Sequence, residues 1–323
     1  MKTKSFVVLV SLILLFSMGV SGALAADYPK RPITLICPWD AGGGTDAVSR
    51  IMATLLKKEL GVPVNVVNRT GGSGAVGHTA MATAKPDGYT IGMATGEITM
   101  MHWMGLTEVT YKDMVPIAML NADPAGINVL TDSPWKTYKE LEDYVRKNPG
   151  KLKDSGTGHG GIWHLAMAGW MKGIGLSPDD IKWIPSKGAA PALQDLMAGG
   201  IDMSTCSLPE AATLIEAGRV RPLAIMADER DPKFPDTPTL KELGIDWIAA
   251  AVRGIVGPKG TPPEIVDVLE KAIAKVHKSD EFIKFMNNRG YGMIWKDSGA
   301  FGKFLEKMDA DNGVVMKAAG IAK

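Results

Sequence analysis

The stretch Ile33-Thr34-Leu35-Ile36-Cys37-Pro38-Trp39-Asp40-Ala41-Gly42-Gly43-Gly44-Thr45-Asp46 carries the reading of this chain. Ile33 to Cys37 is a short apolar run of the kind that fills a buried strand. Pro38 cannot donate to a ladder, so the strand is expected to end there. Gly42 to Gly44 allow a sharp turn and leave backbone N–H groups uncovered. Thr45 or Asp46 is placed to cap a helix whose apolar positions Val48, Ile51, Met52, Leu55 and Leu56 recur at helical spacing. Gly61 supplies its stop. Strand, glycine turn and helix N-terminus together make an anion site, because free N–H groups meet the positive end of the helix dipole. The competing reading is a tight strand-to-helix connection that holds nothing.

Upstream, residues 1–26 read as a secretory signal peptide. Lys2 and Lys4 form a basic start, Phe6 to Val20 an apolar run broken by Ser11, Ser17 and Gly19, and Ala23-Leu24-Ala25 an A-x-A cleavage site. The chain has 36 basic residues against 35 acids; without Lys2 and Lys4 there are 34, a formal charge of about −1. That balance gives no basic surface for nucleic acid or an anionic membrane. Two cysteines, Cys37 and Cys206, are no disulfide framework and are expected to be free thiols.

Downstream, strands and helices alternate, which is the signature of α/β layers. Strands are expected at 62–67, 89–94, 117–120, 127–130, 181–185, 201–206, 222–227 and 247–256. Asp123-Pro124 should interrupt the pair in the middle. Helices are expected at 75–84, 189–198, 209–217, near 280–289 and at 298–318. Thr137 with Glu140, and Thr261 with Glu264, read as capping boxes for helices running to Lys147 and to about Lys278. A second glycine cluster, Ser155-Gly156-Thr157-Gly158-His159-Gly160-Gly161, leads into a helix carrying His164, Leu165, Met167, Ala168 and Met171. Two such loops on two sheets describe a cleft between lobes.

Other chemistries find little support. Gly72-Ser73-Gly74-Ala75-Val76-Gly77 fits G-x-G-x-x-G, and Glu97 stands where a ribose-binding acid belongs. Yet Asn68 to Gly71 separate strand from motif, and similar spacing recurs at Gly156, Gly158 and Gly161 in a chain with 37 glycines. The five histidines offer no pair on one helix face, so neither a metal nor a cofactor is expected. No nucleophile elbow, P-loop or C-x-x-C is present, and no catalytic residue is assigned.

Taken in order, several landmarks resemble the periplasmic receptors of tripartite tricarboxylate transporters, the Bug receptors. They are Tyr28-Pro29-Lys30-Arg31-Pro32-Ile33, Pro38 to Asp46, Asn68-Arg69 with the glycines after it, and Lys85 to Thr90. Gly156-Thr157-Gly158, His164-Leu165-Ala166, Lys187 to Leu193, Pro235 to Thr239 and Pro258 to Pro262 follow. The resemblance implies an α/β, two-lobed periplasmic binding protein of the Venus-flytrap, type II-like kind, each lobe a mixed sheet flanked by helices. Residues 27–123 and 247–323 would form one lobe and 124–246 the other. It implies a monomer that holds a small organic carboxylate and delivers it to membrane permease subunits, with no nucleic acid involved. The expected ligand-binding set is Trp39, Ala41, Gly42, Gly43, Gly44, Thr45 and Asp46; Thr95 at a strand end; Gly156, Thr157, Gly158, His159 and His164; and Lys187, Cys206 and Ser207. The chain departs from the family at Trp39, Ala168, Cys206-Ser207 and Arg253; the Cys206 region and Arg253 are expected to affect the pocket or the contact between lobes, and so ligand choice. A ligand-sensing partner of a membrane histidine kinase and a secreted nucleotide-dependent enzyme are the alternatives.

Overall fold

The computed structural model describes residues 28–323; the expected signal peptide lies outside them. The decisive stretch forms β1 (Ile33–Cys37), its apolar residues buried between two parallel neighbours, β2 (Val64–Asn68) and β3 (Thr90–Thr95). The helix after it, α1 (Gly44–Leu60), buries Val48, Met52, Leu55 and Leu56 on that sheet. Gly61 ends it in the left-handed region, φ 72°, as the sequence predicts. The expected cap is corrected. Gly43 is the N-cap and offers no side chain, while Asp46 in the first turn reaches back to the Gly42 N–H at 3.0 Å.

A short helix, α2 (Ala75–Ala82), follows the second loop. The largest correction concerns 117–120 and 127–130, which belong to one strand, β4 (Met114–Leu130). Pro124, opposite Ala250, is the last residue paired in the first sheet; from Ala125, opposite Ser207, the strand pairs in the second. The proline's missing N–H therefore falls where the strand changes partners and breaks no ladder.

The second sheet is built from α3 (Tyr138–Lys147), β5 (Leu152–Ser155), α4 (Ile162–Gly173), β6 (Ile181–Trp183), α5 (Ala189–Ala198), β7 (Met203–Ser207), α6 (Leu208–Glu216) and β8 (Val220–Ile225). The Thr137–Glu140 capping box of α3 forms as expected. The chain then returns through β9 (Ala250–Pro258) to α7 (Pro263–His277), α8 (Asp280–Arg289), β10 (Met293–Lys296) and α9 (Ser298–Ala318). The expected Thr261 cap of α7 does not form, because its hydroxyl donates to the Pro258 carbonyl instead.

Both sheets are mixed. The first runs β2-β1-β3-β9-β4 with β10 on β4, and the second runs β4-β7-β5-β6 with β8 on β4. Each has its own core, one centred on Ile33, Leu35, Met52, Ile255 and Leu269, the other on Ile127, Leu165, Trp170, Leu196 and Met203. The two are also stitched together: Met100, Met104, Met316 and Ile321 pack into the second core, although Phe301 and Leu305 of the same α9 pack on the first sheet.

Candidate functional site

The N-termini of α1 and α4 face one small cavity from opposite sheets. Its walls are Trp39, Asp40, Gly43, Gly44, Thr45, Thr95 and Glu97 on one side. Thr157, Ile162, Trp163, Gly188 to Pro191 and Glu210 stand opposite, with Ala251 and Arg253 of β9 at the floor. The free space between these walls is about 20 Å³, room for about one water.

Helix geometry leaves the first-turn amides of α1 and α4 without intrahelical acceptors. A carboxylate from the opposite side meets each. Glu210, at the start of α6, accepts the Gly44 N–H at 3.2 Å. Glu97, after β3, accepts the Ile162 N–H at 2.9 Å. Each acid is also tied to its own side. Glu210 accepts from the backbone N–H and hydroxyl of Ser207 at 3.3 and 3.1 Å, and Glu97 accepts from Thr95 Oγ1 at 2.5 Å. Thr95 in turn accepts from Trp39 Nε1 at 3.2 Å, and its amide donates to His78 Nε2 at 3.1 Å. Because His78 Nδ1 must donate to the Gly74 carbonyl, the ring is a neutral Nδ1–H tautomer, and burial pushes it down to about 4.

Arg253 supplies the positive charge. Its Nε donates to Thr45 Oγ1 at 3.0 Å, its Nη1 binds Asn121 and Asp123, and its Nη2 lies 3.5 Å from Glu210 Oε1. Burial works against its charge, but Asp123 and Glu210 outweigh it and hold the guanidinium firmly protonated. Burial raises both Glu97 and Glu210, and Arg253 opposes the rise most directly at Glu210. The chemistry here is that of holding polar groups. No group of three or more His, Cys, Asp or Glu residues suited to a metal occurs among the described residues.

Of the expected set, Trp39, Gly43, Gly44, Thr45, Thr95 and Thr157 line the cavity. The others stand around it. Ala41 and Gly42 form the exposed outer turn of the loop. Asp46 supports that loop through Gly42, Arg50 and Asn68. Gly156 is needed for packing, since a Cβ there would lie 2.0 Å from the Thr205 carbonyl oxygen. Gly158 and His159 meet Ser73 from the other half, whose hydroxyl donates to the His159 carbonyl at 2.9 Å. The His164 ring is turned away: Nδ1 accepts the Gly160 N–H and the ring stacks on Trp183, 4.8 Å between centroids. Lys187 offers its carbonyl to the Asp40 N–H at 3.5 Å while its side chain is exposed. Cys206 is fully buried behind the wall, its sulfur accepting from Asn128 Nδ2, and Ser207 serves as the N-cap of α6.

Sequence reasoning missed Glu210 as a wall residue, named Arg253 as a departure bearing on the ligand without placing it in the site set, and considered Glu97 only within the dinucleotide reading that it set aside. The pattern Ser207-x-x-Glu210 was the available signal, a capping box whose acid has a second oxygen to spare. The G-x-G-x-x-G match is accounted for by packing, because a Cβ on Gly77 would lie 2.6 Å from Pro38 Cα.

Comparison with known proteins agrees with this geometry. Residues 48–321 match the family described as "Tripartite tricarboxylate transporter family receptor". A Cupriavidus necator relative, "UPF0065 protein in gbd 5'region", is 32% identical over 304 residues, 93% of this chain and 91% of its own. Among solved structures, R. palustris Rpa4515 with adipate is 29% identical with a TM-score of 0.86, covering 92% of this chain and 99% of that one. MatC from Rhodopseudomonas palustris, with bound malate, is 26% identical with a TM-score of 0.83, covering 89% and 99%. The chain is a two-lobed solute-binding protein, not an enzyme, and it belongs to the tripartite tricarboxylate transporter receptor family.

Proposed function

We propose that this receptor captures a small carboxylate-bearing ligand between its halves, 27–123 with 247–323 and 124–246, and hands it to a tripartite tricarboxylate-type permease. One observation carries the reading: two helix N-termini converge on one cavity from opposite sheets, and each already holds a carboxylate. A site that satisfies Glu210 and Glu97 through backbone N–H groups has the chemistry to satisfy a ligand's carboxylate in the same way. Two structural neighbours, solved with adipate and malate, support it. On this reading, residues 1–26 direct export to the periplasm and are removed.

The free space of about 20 Å³ is too small for such a ligand, so entry requires the halves to part and ligand to favour reclosure. Calorimetric titration with short mono- and dicarboxylates and their neutral amides tests the proposal. Binding of acids with loss of affinity in the matching amides is the expected result. No heat and no thermal stabilisation with any carboxylate would overturn it. Saturation at about 100 Kd should add roughly 2.7 kcal/mol of stability.

A further inference from the structure

We infer that the preferred ligand is a zwitterion, a small molecule whose carboxylate is joined to an ammonium or guanidinium group bearing N–H donors. The inference rests on the carboxylate reading above and concerns the rest of the ligand.

The argument starts from what ligand entry leaves behind. Parting the halves takes Gly44 away from Glu210 and Ile162 away from Glu97. Neither glutamate can swing out of the wall, because each is fastened to its own half, Glu210 by Ser207 and Glu97 by Thr95. After reclosure around a ligand, the freed carboxylates still face it. A buried acid that loses a donor and finds none is a large penalty.

Arg253 cannot absorb that penalty. Its Nη1 is committed to Asp123 and Asn121 and its Nε to Thr45, so only Nη2 faces the cavity. Four acids (Asp40, Glu97 and Glu210 in the walls, and Asp123 paired with Arg253) stand against this one guanidinium. Among the described residues that line the cavity, Arg253 is the one cationic side chain. A dicarboxylate could occupy both helix N-termini, but it would bring only acceptors to face two carboxyl groups whose donors it has displaced. A zwitterion uses one helix N-terminus for its carboxylate and returns a charge-assisted donor to the glutamate it displaces. The departure at Arg253 fits the same account, since this position together with Glu210 sets the charge of the cavity floor.

Calorimetry on the mature protein with chain-length-matched sets decides the matter. Each set pairs a dicarboxylate from malonate to adipate with the amino acid in which one carboxylate is replaced by an ammonium group, and with the plain monocarboxylate. α-Amino acids and guanidino acids complete the series. The expected result is at least one zwitterion that binds tenfold or more tighter than its dicarboxylate and monocarboxylate partners. Glu210→Gln or Glu97→Gln, with folding checked by circular dichroism, should weaken that zwitterion about 10- to 100-fold and weaken its dicarboxylate partner at least tenfold less. A dicarboxylate that outbinds every amine counterpart, or glutamine variants that weaken both classes alike, would overturn the inference and leave the carboxylate receptor standing. Failure of every carboxylate, zwitterions included, would overturn both.

Discussion

Asp154→Asn should change how stability depends on pH by an amount that the structure sets. Asp154 lies in β5 just before the second glycine loop, with no solvent exposure. Its carboxylate accepts from the Ser155 and Thr205 amides at 2.7 and 2.8 Å and from Thr205 Oγ1 at 2.5 Å. Burial nevertheless dominates these bonds and pushes the carboxyl up to about 7. An unfolded chain titrates the same group near 4. Between those values the folded protein keeps a proton that the unfolded one has released, so stability falls as pH rises through the window. About three pH units at roughly 1.4 kcal/mol each amount to about 4 kcal/mol, fully lost above pH 7.

Asparagine has no proton to lose, and its amide can donate where Thr205 Oγ1 now donates. Stability of the variant minus that of the parent should therefore climb by about 4 kcal/mol from pH 4 to pH 8. Buried His78 and His164, pushed down to about 4 and about 3, lose stability in the opposite direction as pH falls below 6.5. They are common to both proteins and cancel in the difference. Urea unfolding at pH 4, 6 and 8 measures it. A difference that does not change with pH would refute the account of Asp154.

Arg253→Leu strands Asp123 and Asn121, both fully buried, and should cost about 3–5 kcal/mol of stability; a loss below about 1 kcal/mol in thermal or urea melts contradicts the pairing. At Gly44 an added Cβ would lie 2.7 Å from Arg253 Nη2 and 2.9 Å from Glu210 Cγ. Gly44→Ala should hold the halves apart, read as a larger radius of gyration by small-angle scattering, whereas Gly43→Ala, whose nearest neighbour is at 3.6 Å, should not. Equal radii for the two variants would sink that argument. Cys37 and Cys206 are free and buried, with burial raising both thiols, Cys37 to about 11. Ellman's reagent should find no thiol in native protein and two in denaturant; rapid native labelling would place one of them at the surface.

Much of the fold was legible because it is written in local patterns. β1, α1 and the Gly61 stop rest on a buried apolar run, a 3.6-residue period and a left-handed glycine, which need no distant partner. The unbroken β4 was not legible, since Asp123-Pro124 reads locally as a break, and only the change of partners at that point makes the proline harmless. The site divides the same way. Glycine-rich loops announced the two helix N-termini, but the acids that meet them come from 166 and 65 residues away in sequence. Glu210 lies within a helix that the sequence shows only as 209–217, and Arg253 stood out as a departure without anything local to tell that it pairs with Asp123 and Glu210. His164 and Cys206 were expected from the resemblance and their place at a helix start and a strand end, and their packing turns both away from the space.

The strand shared by both sheets also bears on how the protein comes apart. Residues 114–124 of β4 are paired with β9 and residues 125–130 with β7 and β8, so no backbone segment at the junction belongs to one half alone. Unravelling either sheet exposes a shared strand of the other, and the end of α9 with the residues after it adds Met316 and Ile321 to the core opposite the one that holds its start. Heat should therefore melt the two halves in one cooperative step, with calorimetric and van't Hoff enthalpies in agreement, even though the proposed ligand entry requires them to part.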